Sequence, residues 1–270
     1  MKCCNGIWRS RGPNQPMAKT TNSVAKALGL LETMARRPRP WGISELAREL
    51  GLTKSNVHSH VQTLVELGFI RNDESSAKYL PSLKVWEIGM LVAEGLPVRR
   101  AAQPHLTALS ATAKKTVHLS VLEGMEAIYI DRIAAPAGFE PKVDIGGRAP
   151  AQCVATGLAM MGMLDDESLR RWDCPLSRPT ERSPASFDEV MRAVEAARTR
   201  GFALTRGSWR RGVMGIAAPI RAPQSEASLN AVAAIGMSCL DIDVSEDEIE
   251  TLGRYVIYCA DRVSEELAKS

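Results

Sequence analysis

A glycine separates two short segments of helical periodicity near the start of this chain, and few folds accommodate that arrangement. Before it, residues 43–50 repeat apolar side chains at three- and four-residue spacing, with Ser44 expected at the N-cap. Gly51 interrupts the pattern, Thr53 is expected to cap the next helix, and that helix is expected to end before Gly68. Two short helices joined through a glycine turn predict a helix-turn-helix unit.

The outward positions of the second helix carry an unusual set of side chains. Nearly all of them donate or accept hydrogen bonds, and no Asp or Glu occurs from Lys54 to Leu64. A major-groove helix needs donors and acceptors without carboxylate repulsion, whereas a helix that needs only solubility usually carries Glu and Lys pairs. An ordinary polar surface helix is the alternative. The predicted DNA contacts are Ser44, Thr53, Lys54, Ser55, Asn56, His58, Ser59, Gln62 and Lys78.

A hairpin and a preceding helix complete the predicted domain. Extended segments at 69–71 and 78–80 flank a polar, turn-prone run, which predicts a β-hairpin wing. Residues 20–82 are therefore expected to form a winged helix-turn-helix domain. Upstream, apolar residues at helical spacing predict a first helix whose buried stripe consists of Val24, Ala27, Leu28, Leu31 and Met34.

Charge is distributed unevenly along the 270 residues. Residues 1–100 carry 15 basic and 8 acidic side chains, a net charge of +7, whereas the remainder carries 19 basic and 23 acidic ones, a net charge of −4. Positive charge concentrated in one module is typical of a polyanion binder, because Lys and Arg near phosphates release condensed counterions. The expected partner is a double-stranded DNA operator. A winged domain that docks a protein is the alternative, and it is distinguished by how steeply DNA affinity falls with salt.

Length and composition bound the remaining possibilities. A chain of 270 residues is expected to hold two domains, and no apolar run approaches the ~18 residues of a membrane span. Residues 1–19 lack the apolar core of a secretory signal and are expected to be a disordered tail of a cytoplasmic protein, with Met17 as a candidate native start. The six cysteines are scattered without metal-ligand spacing, so neither a metal nor a cofactor is expected.

The rest of the chain mixes helical and extended patterns. Residues 83–97 predict a linker helix, and residues 98–270 predict an α+β domain with an antiparallel sheet. The expected elements of that domain are a helix over 106–113, a hairpin with strands 117–122 and 127–130, a helix before Gly201, strands over 215–220 and 231–237, and a last helix over 245–267 opened by a Ser245–Glu248 capping box.

These patterns resemble the IclR family of transcription regulators. The similarity lies in ISELARELGLTKSNVHSHVQTLVELGFI and KYLPSLKVWEIG, and it continues through RAPAQCVATGLAMMG, RTRGFALTRGSWRRGVMGIAAPI and AAIGMSCLD, from about Ser23 to the end of the chain. Two positions depart from the family pattern: Ser59 stands where a recognition-helix arginine is common, and Pro81 where a glycine usually follows Tyr-x-Leu. An arginine grips guanine bidentately and a serine cannot, so the resemblance leaves the operator preference open.

The resemblance implies a GAF-like effector-binding domain and a homodimer, with a tetramer as an alternative assembly. The linker helix would join the dimer contact, since one short recognition helix reaches few base pairs. A small-molecule effector pocket is implied between the loop at 144–150, which leads into a helix, and the strand end at 238–239. The implied effector contacts are Gly147, Ala149, Cys153, Ala155, Ser238 and Cys239, with ordinary core thiols as the alternative for the two cysteines.

Charge near the implied pocket indicates a class of effector. The family often has acidic residues within the segment 204–209, and this chain has none there. Arg206, Arg210 or Arg211 near the pocket mouth would favour a small or aromatic organic acid, and surface arginines are the alternative. Effector binding that releases DNA and effector binding that recruits it, as in repressors and activators, both stay open.

An enzyme is the competing class of protein. Cys153 or Cys239 would be its candidate nucleophile, with His105 or His118 as the base. The chain has no G-x-x-x-x-G-K-S/T loop, no G-x-S-x-G elbow and no H-E-x-x-H motif. We therefore predict a sequence-specific regulator of transcription rather than an enzyme.

Overall fold

The computed structural model describes residues 22–136, 144–172, 175–221 and 232–269. These residues divide into two compact units, 22–95 and 96–269. The expected tail over 1–19, the candidate start at Met17 and three of the cysteines, Cys3, Cys4 and Cys174, lie outside the described residues.

The first unit combines helices with a two-stranded hairpin. Its elements in chain order are α1 (Asn22–Arg36), α2 (Ile43–Leu50), α3 (Lys54–Glu66), β1 (Ile70–Asn72), β2 (Tyr79–Pro81) and α4 (Leu83–Glu94). The two strands are antiparallel and pair Arg71 with Leu80. The order of helices followed by a hairpin confirms the predicted winged helix-turn-helix fold.

The first three helices and the hairpin enclose one small core. The predicted stripe on α1 is wrong at two positions, because Val24 and Leu28 are 56% and 55% exposed while Leu30 is buried. Leu30 and Met34 lie on the face that α1 turns toward α3, and Val24 and Leu28 lie off that face. The buried side chains of this core are Leu30, Met34, Trp41, Leu46, Ala47, Val57, Val61, Leu64 and Ile70.

The start of α2 differs from the prediction. Its N-cap is Gly42, and Ser44 is the second residue of the helix. The Gly42 backbone N–H donates a hydrogen bond to the Glu45 carboxylate at 2.8 Å, so the acidic side chain of the first turn supplies the cap. At the other end, Gly51 has φ of 65°, a left-handed conformation that glycine adopts without steric cost.

The second unit is an antiparallel sheet with helices on both faces. The strand order is β5-β4-β3-β8-β7-β6, and each neighbouring pair is antiparallel. This confirms the predicted α+β class. The elements in chain order are α5 (Pro97–Ala113), β3 (Thr116–Glu123), β4 (Glu126–Ile133), β5 (Arg148–Pro150), α6 (Ala155–Met161), α7 (Asp166–Arg170), α8 (Phe187–Arg200), β6 (Ala203–Arg206), β7 (Val213–Ile220), β8 (Ala233–Leu240) and α9 (Glu246–Leu267).

Each face of the sheet has its own apolar layer. On one face α5 and α9 pack against the central strands and bury Leu106, Leu119 and Val256. On the other face α6 and α8 bury Met160 and Val194 against the same sheet. The two layers place α5 and α6 on opposite sides of β3, β7 and β8, so neighbouring strand residues contact different helices.

Some element boundaries depart from the predictions. The helix expected after Pro104 is longer, because α5 begins at Pro97 and continues through Pro104. A proline in the first helical turn costs no hydrogen bond, which explains the early start. The sequence pattern does not predict β5, β6 or α7, which have only three, four and five residues. The capping box that opens α9 is confirmed, since Ser245 and Glu248 bond each other reciprocally.

A β-bulge changes which face β4 presents. In its pairing with β3, Tyr129 lies opposite Ser120 but Asp131 lies opposite Leu119, so Ile130 is the additional residue. Without the bulge, Tyr129 and Asp131 would share one face, because side chains alternate along a strand. With it, Tyr129 joins the apolar layer under α6, while Asp131 contacts α5.

Candidate functional sites

The outward face of α3 is set by its N-cap and its buried stripe. Thr53 accepts a hydrogen bond from the Asn56 backbone N–H at 3.3 Å, which satisfies one unpaired donor at the helix start. Val57, Val61 and Leu64 are buried, so the opposite face is turned outward. Six predicted contacts lie on this outward face: Lys54, Ser55, Asn56, His58 and Ser59, which are exposed, and Gln62, which is half-buried.

The remaining predicted DNA contacts lie outside that face. Ser44 is exposed on α2, and the hydroxyl of Thr53 is engaged as the cap of α3. Lys78 precedes the second strand of the wing, with its Nζ 3.8 Å from a carboxylate oxygen of Glu45. The hydrogen bond from Gly42 is the main cause that lowers the pKa of Glu45, and Lys78 adds to it, so this carboxylate is charged. The positive charge of Lys78 is therefore partly offset by the neighbouring Glu45 carboxylate.

The second unit contains a pocket between α6 and the sheet. The pocket opens to solvent, and its volume together with the space at its mouth is about 500 Å³. Strands β3, β4, β6, β7 and β8, the start of α6 and the loop after β6 all contribute to the wall. The polar and aromatic side chains of the lining are His118, Tyr129, Cys153, Thr156, Thr205, Ser208, Trp209, Arg210 and Ser238.

Three of the six implied effector contacts lie on this lining. They are Cys153 and Ala155, at the turn into α6, and Ser238, on β8. Cys153 and Ala155 precede and begin the helix, and Ser238 points from the sheet toward it. The resemblance to the family therefore located the two sides of the pocket, although it named only part of the wall.

The other three implied contacts do not line the pocket. Cys239 follows Ser238 on the same strand and faces the layer under α5 and α9, because strand residues alternate. Ala149 is fully buried in the edge strand β5. The Gly147 carbonyl is engaged within the fold, because it accepts a hydrogen bond from the Tyr129 N–H at 3.0 Å.

Sequence reasoning missed several side chains that form the wall. A signal for one of them was present: Thr116, His118 and Ser120 alternate with apolar residues, which indicates a strand with one polar face. Tyr129 could not be found in this way because the bulge displaces the alternation of β4. Trp209 lies in the loop between β6 and β7, where periodicity gives no information on orientation.

The aromatic and polar groups of the lining contact one another. The His118 Nε2 lies 2.7 Å from the Ser238 hydroxyl, and its ring meets the edge of Tyr129 at a centroid distance of 5.4 Å. The rings of Tyr129 and Trp209 are stacked, with centroids 6.0 Å apart and planes inclined by 19°. The guanidinium carbon of Arg210 lies 4.4 Å from the centroid of Trp209, a cation–π contact. These contacts make one continuous polar-aromatic wall.

Burial shifts the pKa values of His118, Tyr129 and Cys153 in the direction that favours their uncharged forms. Desolvation, with a smaller contribution from Arg132, lowers the pKa of His118 to about 3. Burial raises the pKa of Tyr129 to about 12 and that of Cys153 to about 11. At neutral pH the pocket therefore presents a neutral imidazole, a phenol and a thiol, and no nucleophilic thiolate.

The three candidate arginines occupy different places. Arg210 is on the lining. Arg206 contacts Asp241 at 3.7 Å and also pairs with Glu246, and Arg211 contacts Glu181 at 2.9 Å. Within the described part of the chain the pocket lining has no Asp or Glu, so Arg210 is its permanently charged side chain.

The described ranges contain no group of three or more His, Cys, Asp or Glu side chains arranged to hold a metal ion. The Cys153 thiol donates to the Ser177 carbonyl and His118 pairs with Ser238, so these two candidates for a nucleophile and base are engaged elsewhere. Across the same ranges, the helices are too short or too polar to span a membrane.

A winged helix-turn-helix unit with a hydrogen-bonding outer helix face, joined to a second unit with a pocket, defines the class of DNA-binding transcription regulators. Two family models match the chain: "Bacterial transcriptional regulator IclR C-terminal" over residues 90–265 and "IclR helix-turn-helix domain" over residues 23–74. The chain belongs to the IclR family.

Individual proteins agree with this assignment. The HTH-type transcriptional regulator XynR of Escherichia coli (strain K12) is 28% identical over 229 residues, which are 84% of this chain and 89% of that protein. A Rhodococcus sp. RHA1 structure described as a transcriptional regulator has a TM-score of 0.78 at 27% identity and covers 92% of this chain and 99% of its own. A Microbacterium hydrocarbonoxydans IclR homolog complexed with 4-hydroxybenzoate has a TM-score of 0.78 at 21% identity, covering 92% and 100%. The similarity to regulators confirms that the chain is not an enzyme.

The depressed pKa of His118 predicts a pH dependence of stability. The folded state keeps this ring neutral down to about pH 3, whereas the unfolded chain binds its proton near pH 6.5. Its contribution to stability is therefore complete above pH 6.5 and is lost as the pH falls toward 3. By pH 5 the loss is about 2 kcal/mol. Urea unfolding at pH 7 and pH 5, followed by circular dichroism, measures this difference.

Replacing His118 tests the assignment of this pH dependence. In His118→Gln, which cannot take up a proton, we expect the fall in stability between pH 7 and pH 5 to be about 2 kcal/mol smaller than in the parent protein. Ser238→Ala keeps the histidine and removes its hydrogen-bond partner, so it serves as the control and should keep the full fall. An equal fall in the parent and in His118→Gln would contradict the prediction.

Proposed function

We propose that this protein is a dimeric, sequence-specific regulator that inserts α3 into the major groove of its operator and responds to a small organic acid bound in the pocket. The carboxylate-free, hydrogen-bonding outer face of α3 carries the proposal. We assign DNA binding to residues 20–82, the link to residues 83–97 and effector binding to residues 98–270. Such a regulator acts in the cytoplasm, on chromosomal DNA.

The chemistry of α3 supports reading of base edges. Asn56, His58, Ser59 and Gln62 offer both donors and acceptors from one surface, which is what the edges of base pairs in the major groove present. Lys54, in the first helical turn, adds a positive charge for phosphate. Because Ser59 cannot grip guanine as an arginine would, specificity rests on the amide and imidazole side chains.

An acidic effector is supported by the charge of the pocket. A carboxylate on the lining would repel an anion, and the described lining has none. Arg210 offers a charge-assisted hydrogen bond at the rim. The Microbacterium homolog, which has the same fold, is complexed with an organic acid, 4-hydroxybenzoate. These observations favour a small monocarboxylate over a cation or a sugar.

Dimerisation is supported by α4. This helix has no buried residue within its unit, and most of its large apolar side chains are exposed, with Leu83, Trp86 and Leu91 at 75%, 64% and 70%. An apolar helix of this kind is expected to be covered, and two recognition helices held by a dimer read a two-fold operator. We propose a second copy of the chain as the cover, in a dimer or in a tetramer built from two dimers.

Selection of genomic DNA tests the proposal. The purified full-length protein is incubated with fragments of its own genome, and the retained DNA is sequenced. We expect enrichment of a two-fold symmetric site and a steep fall of its affinity with salt, because phosphate contacts release counterions. In Lys54→Ala the slope of log affinity against log salt should be shallower by about 1.

A matched lysine variant controls for net charge. Lys269→Ala removes one positive charge near the end of α9, outside the winged unit, and should leave the slope unchanged. Retention of no DNA, or of DNA without sequence preference, at any effector concentration would contradict the proposal and favour a winged unit that docks a protein.

A further inference from the structure

Much of the pocket lining is closed to solvent in this structure. His118, Tyr129, Cys153 and Thr156 all line the pocket, and they are only 3%, 4%, 1% and 4% exposed. A molecule cannot contact these side chains over more than a small area unless part of the wall moves. Access to the lining therefore depends on which part of the wall moves most easily.

The loop after β6 is the least constrained part of the described wall. Strands β3, β4, β7 and β8 are bonded to neighbours on both sides, and every residue of α6 is buried. Residues 207–212, which we name the flap, lie outside any helix or strand and carry Trp209 and Arg210 of the lining. Gly207 and Gly212 at its two ends have φ of 67° and 73°, a region that glycine adopts without steric cost. A loop between two such residues can move without disturbing the sheet.

A second loop is bonded to the flap. Residues 175–186, which we name the strap, lie between α7 and α8. The Thr180 hydroxyl donates a hydrogen bond to the Gly207 carbonyl at 2.7 Å, and the Ser183 hydroxyl donates one to the Ser208 carbonyl at 2.7 Å. Because Ser183 is 4% exposed, water does not compete for its hydrogen bond. These two bonds hold the flap against the strap.

The strap is also bonded to the turn that leads into α6. The Ser177 carbonyl accepts hydrogen bonds from Gln152 Nε2 at 3.2 Å and from Cys153 Sγ at 3.5 Å. The Ser183 hydroxyl contacts the Cys153 thiol as well, and this contact partly offsets the rise that burial causes in the pKa of the thiol. The strap therefore joins two parts of the pocket wall, the turn before α6 and the flap.

We propose that the strap is a latch, and that release of the Thr180 and Ser183 hydroxyls from the flap opens the buried lining to small organic molecules. The two hydroxyls position the wall, since they bond the flap and do not line the pocket. In the latched state Trp209 is stacked on Tyr129. The inference rests on the proposed function in treating the pocket as a ligand site, and it adds how that site is opened.

Labelling of Cys153 by N-ethylmaleimide, a small organic molecule, tests this access. The reagent reaches the sulfur only when the wall opens, because Cys153 is 1% exposed. The full-length protein is labelled without DNA or effector, and peptide mass spectrometry compares Cys153 with Cys259, which is buried on the other face of the sheet. We expect Thr180→Val and Ser183→Ala each to raise the labelling rate of Cys153 about fivefold to tenfold, because each removes a hydrogen bond that holds the flap. The rate at Cys259 should not change.

Two further threonine variants are matched controls. Thr180→Ser keeps the hydroxyl and should label at the rate of the parent protein, which separates loss of the hydrogen bond from loss of the methyl group. Thr107→Val removes a hydroxyl that donates to the Gln103 carbonyl within α5 at 3.2 Å, far along the chain from the strap. It should leave the labelling of Cys153 unchanged.

Three results would overturn the inference. Unchanged labelling of Cys153 in both Thr180→Val and Ser183→Ala would show that the hydroxyls do not hold the flap. Labelling of the parent protein as fast as the urea-unfolded chain would show that the lining is already open. Equal acceleration of Cys153 and Cys259 would show that the hydroxyls stabilise the whole unit. None of these results depends on operator DNA, so failure of this inference is distinguishable from failure of the proposed regulator.

Discussion

Replacing Asp131 with alanine is expected to lower the free energy of unfolding of the second unit by about 3–5 kcal/mol. The Asp131 carboxylate is 3% exposed and lies 3.2 Å from Arg99 Nε. It also accepts hydrogen bonds from the Gln103 side chain at 3.2 Å and from the Arg132 backbone N–H at 2.8 Å. Removing it leaves these donors with no acceptor in a largely buried position. Arg99 keeps some contact with water, which favours the lower figure.

Equilibrium unfolding in urea, followed by circular dichroism, measures this loss. Arg211→Ala breaks an ion pair with Glu181 whose side chains are 79% and 89% exposed, and it should cost less than about 1 kcal/mol. Asp131→Asn keeps the size of the side chain and one acceptor, so an intermediate loss is expected. A loss in Asp131→Ala no larger than in Arg211→Ala would show that the buried pair does not stabilise the unit.

The position of Asp131 connects this stability prediction with the pocket. Asp131 contacts Arg99 and Gln103 of α5. Tyr129, which precedes the bulge on the same strand, belongs to the pocket wall. A shift of β4 on ligand binding would therefore move the contact with α5 directly. We expect Asp131→Asn, which still folds, to change effector affinity more than Arg211→Ala does.

Replacing Gly157 with alanine adds a single methyl group, and it is expected to destabilise the second unit about as strongly as Asp131→Ala does. A Cβ at this position of α6 would lie 2.1 Å from the Ala151 carbonyl oxygen and 2.5 Å from its Cα, and both are backbone atoms that cannot rotate away. Gly157→Ala therefore requires α6 to separate from the turn that precedes it. We expect a destabilisation of about 3 kcal/mol or more, with disruption of the part of the pocket wall that Cys153 and Ala155 line.

Alanine at another helical glycine provides the control. Nothing lies within 4 Å of a Cβ built on Gly29 in α1, so Gly29→Ala should stabilise the protein slightly, by about 0.5–1 kcal/mol. Thermal unfolding of both variants compares the two glycines directly. A Gly157→Ala protein as stable as the parent would mean that the close approach of α6 to Ala151 is easily relaxed.

The sequence predicted the winged unit well because its signals are local. Thr53 bonds Asn56 three residues away, and Val57, Val61 and Leu64 repeat along one helix. The predicted N-cap of α2 was wrong because a neighbouring residue competes for the same role. Ser44 was the obvious capping residue of α2, but Glu45 reaches back to Gly42 and moves the cap by two positions.

The pocket could be predicted only in outline. His118 and Ser238 meet at 2.7 Å although 120 positions separate them. Periodicity indicates that a strand alternates, but it does not say which of Ser238 and Cys239 faces the ligand side. The family resemblance indicated a strand and a turn that line the pocket, and it could not separate lining residues from their neighbours.

The amino-acid sequence by itself determined the order of the longer helices and strands, the cap of α3, the capping box of α9, the hydrogen-bonding face of α3 and the family, because these depend on residues within a few turns or on whole motifs. Only the tertiary structure decided that His118, Tyr129 and Trp209 form one wall with Arg210 at its edge. The physical reason is that this wall depends on strand register, and the single bulge residue Ile130 turns Tyr129 toward the pocket and Asp131 toward α5.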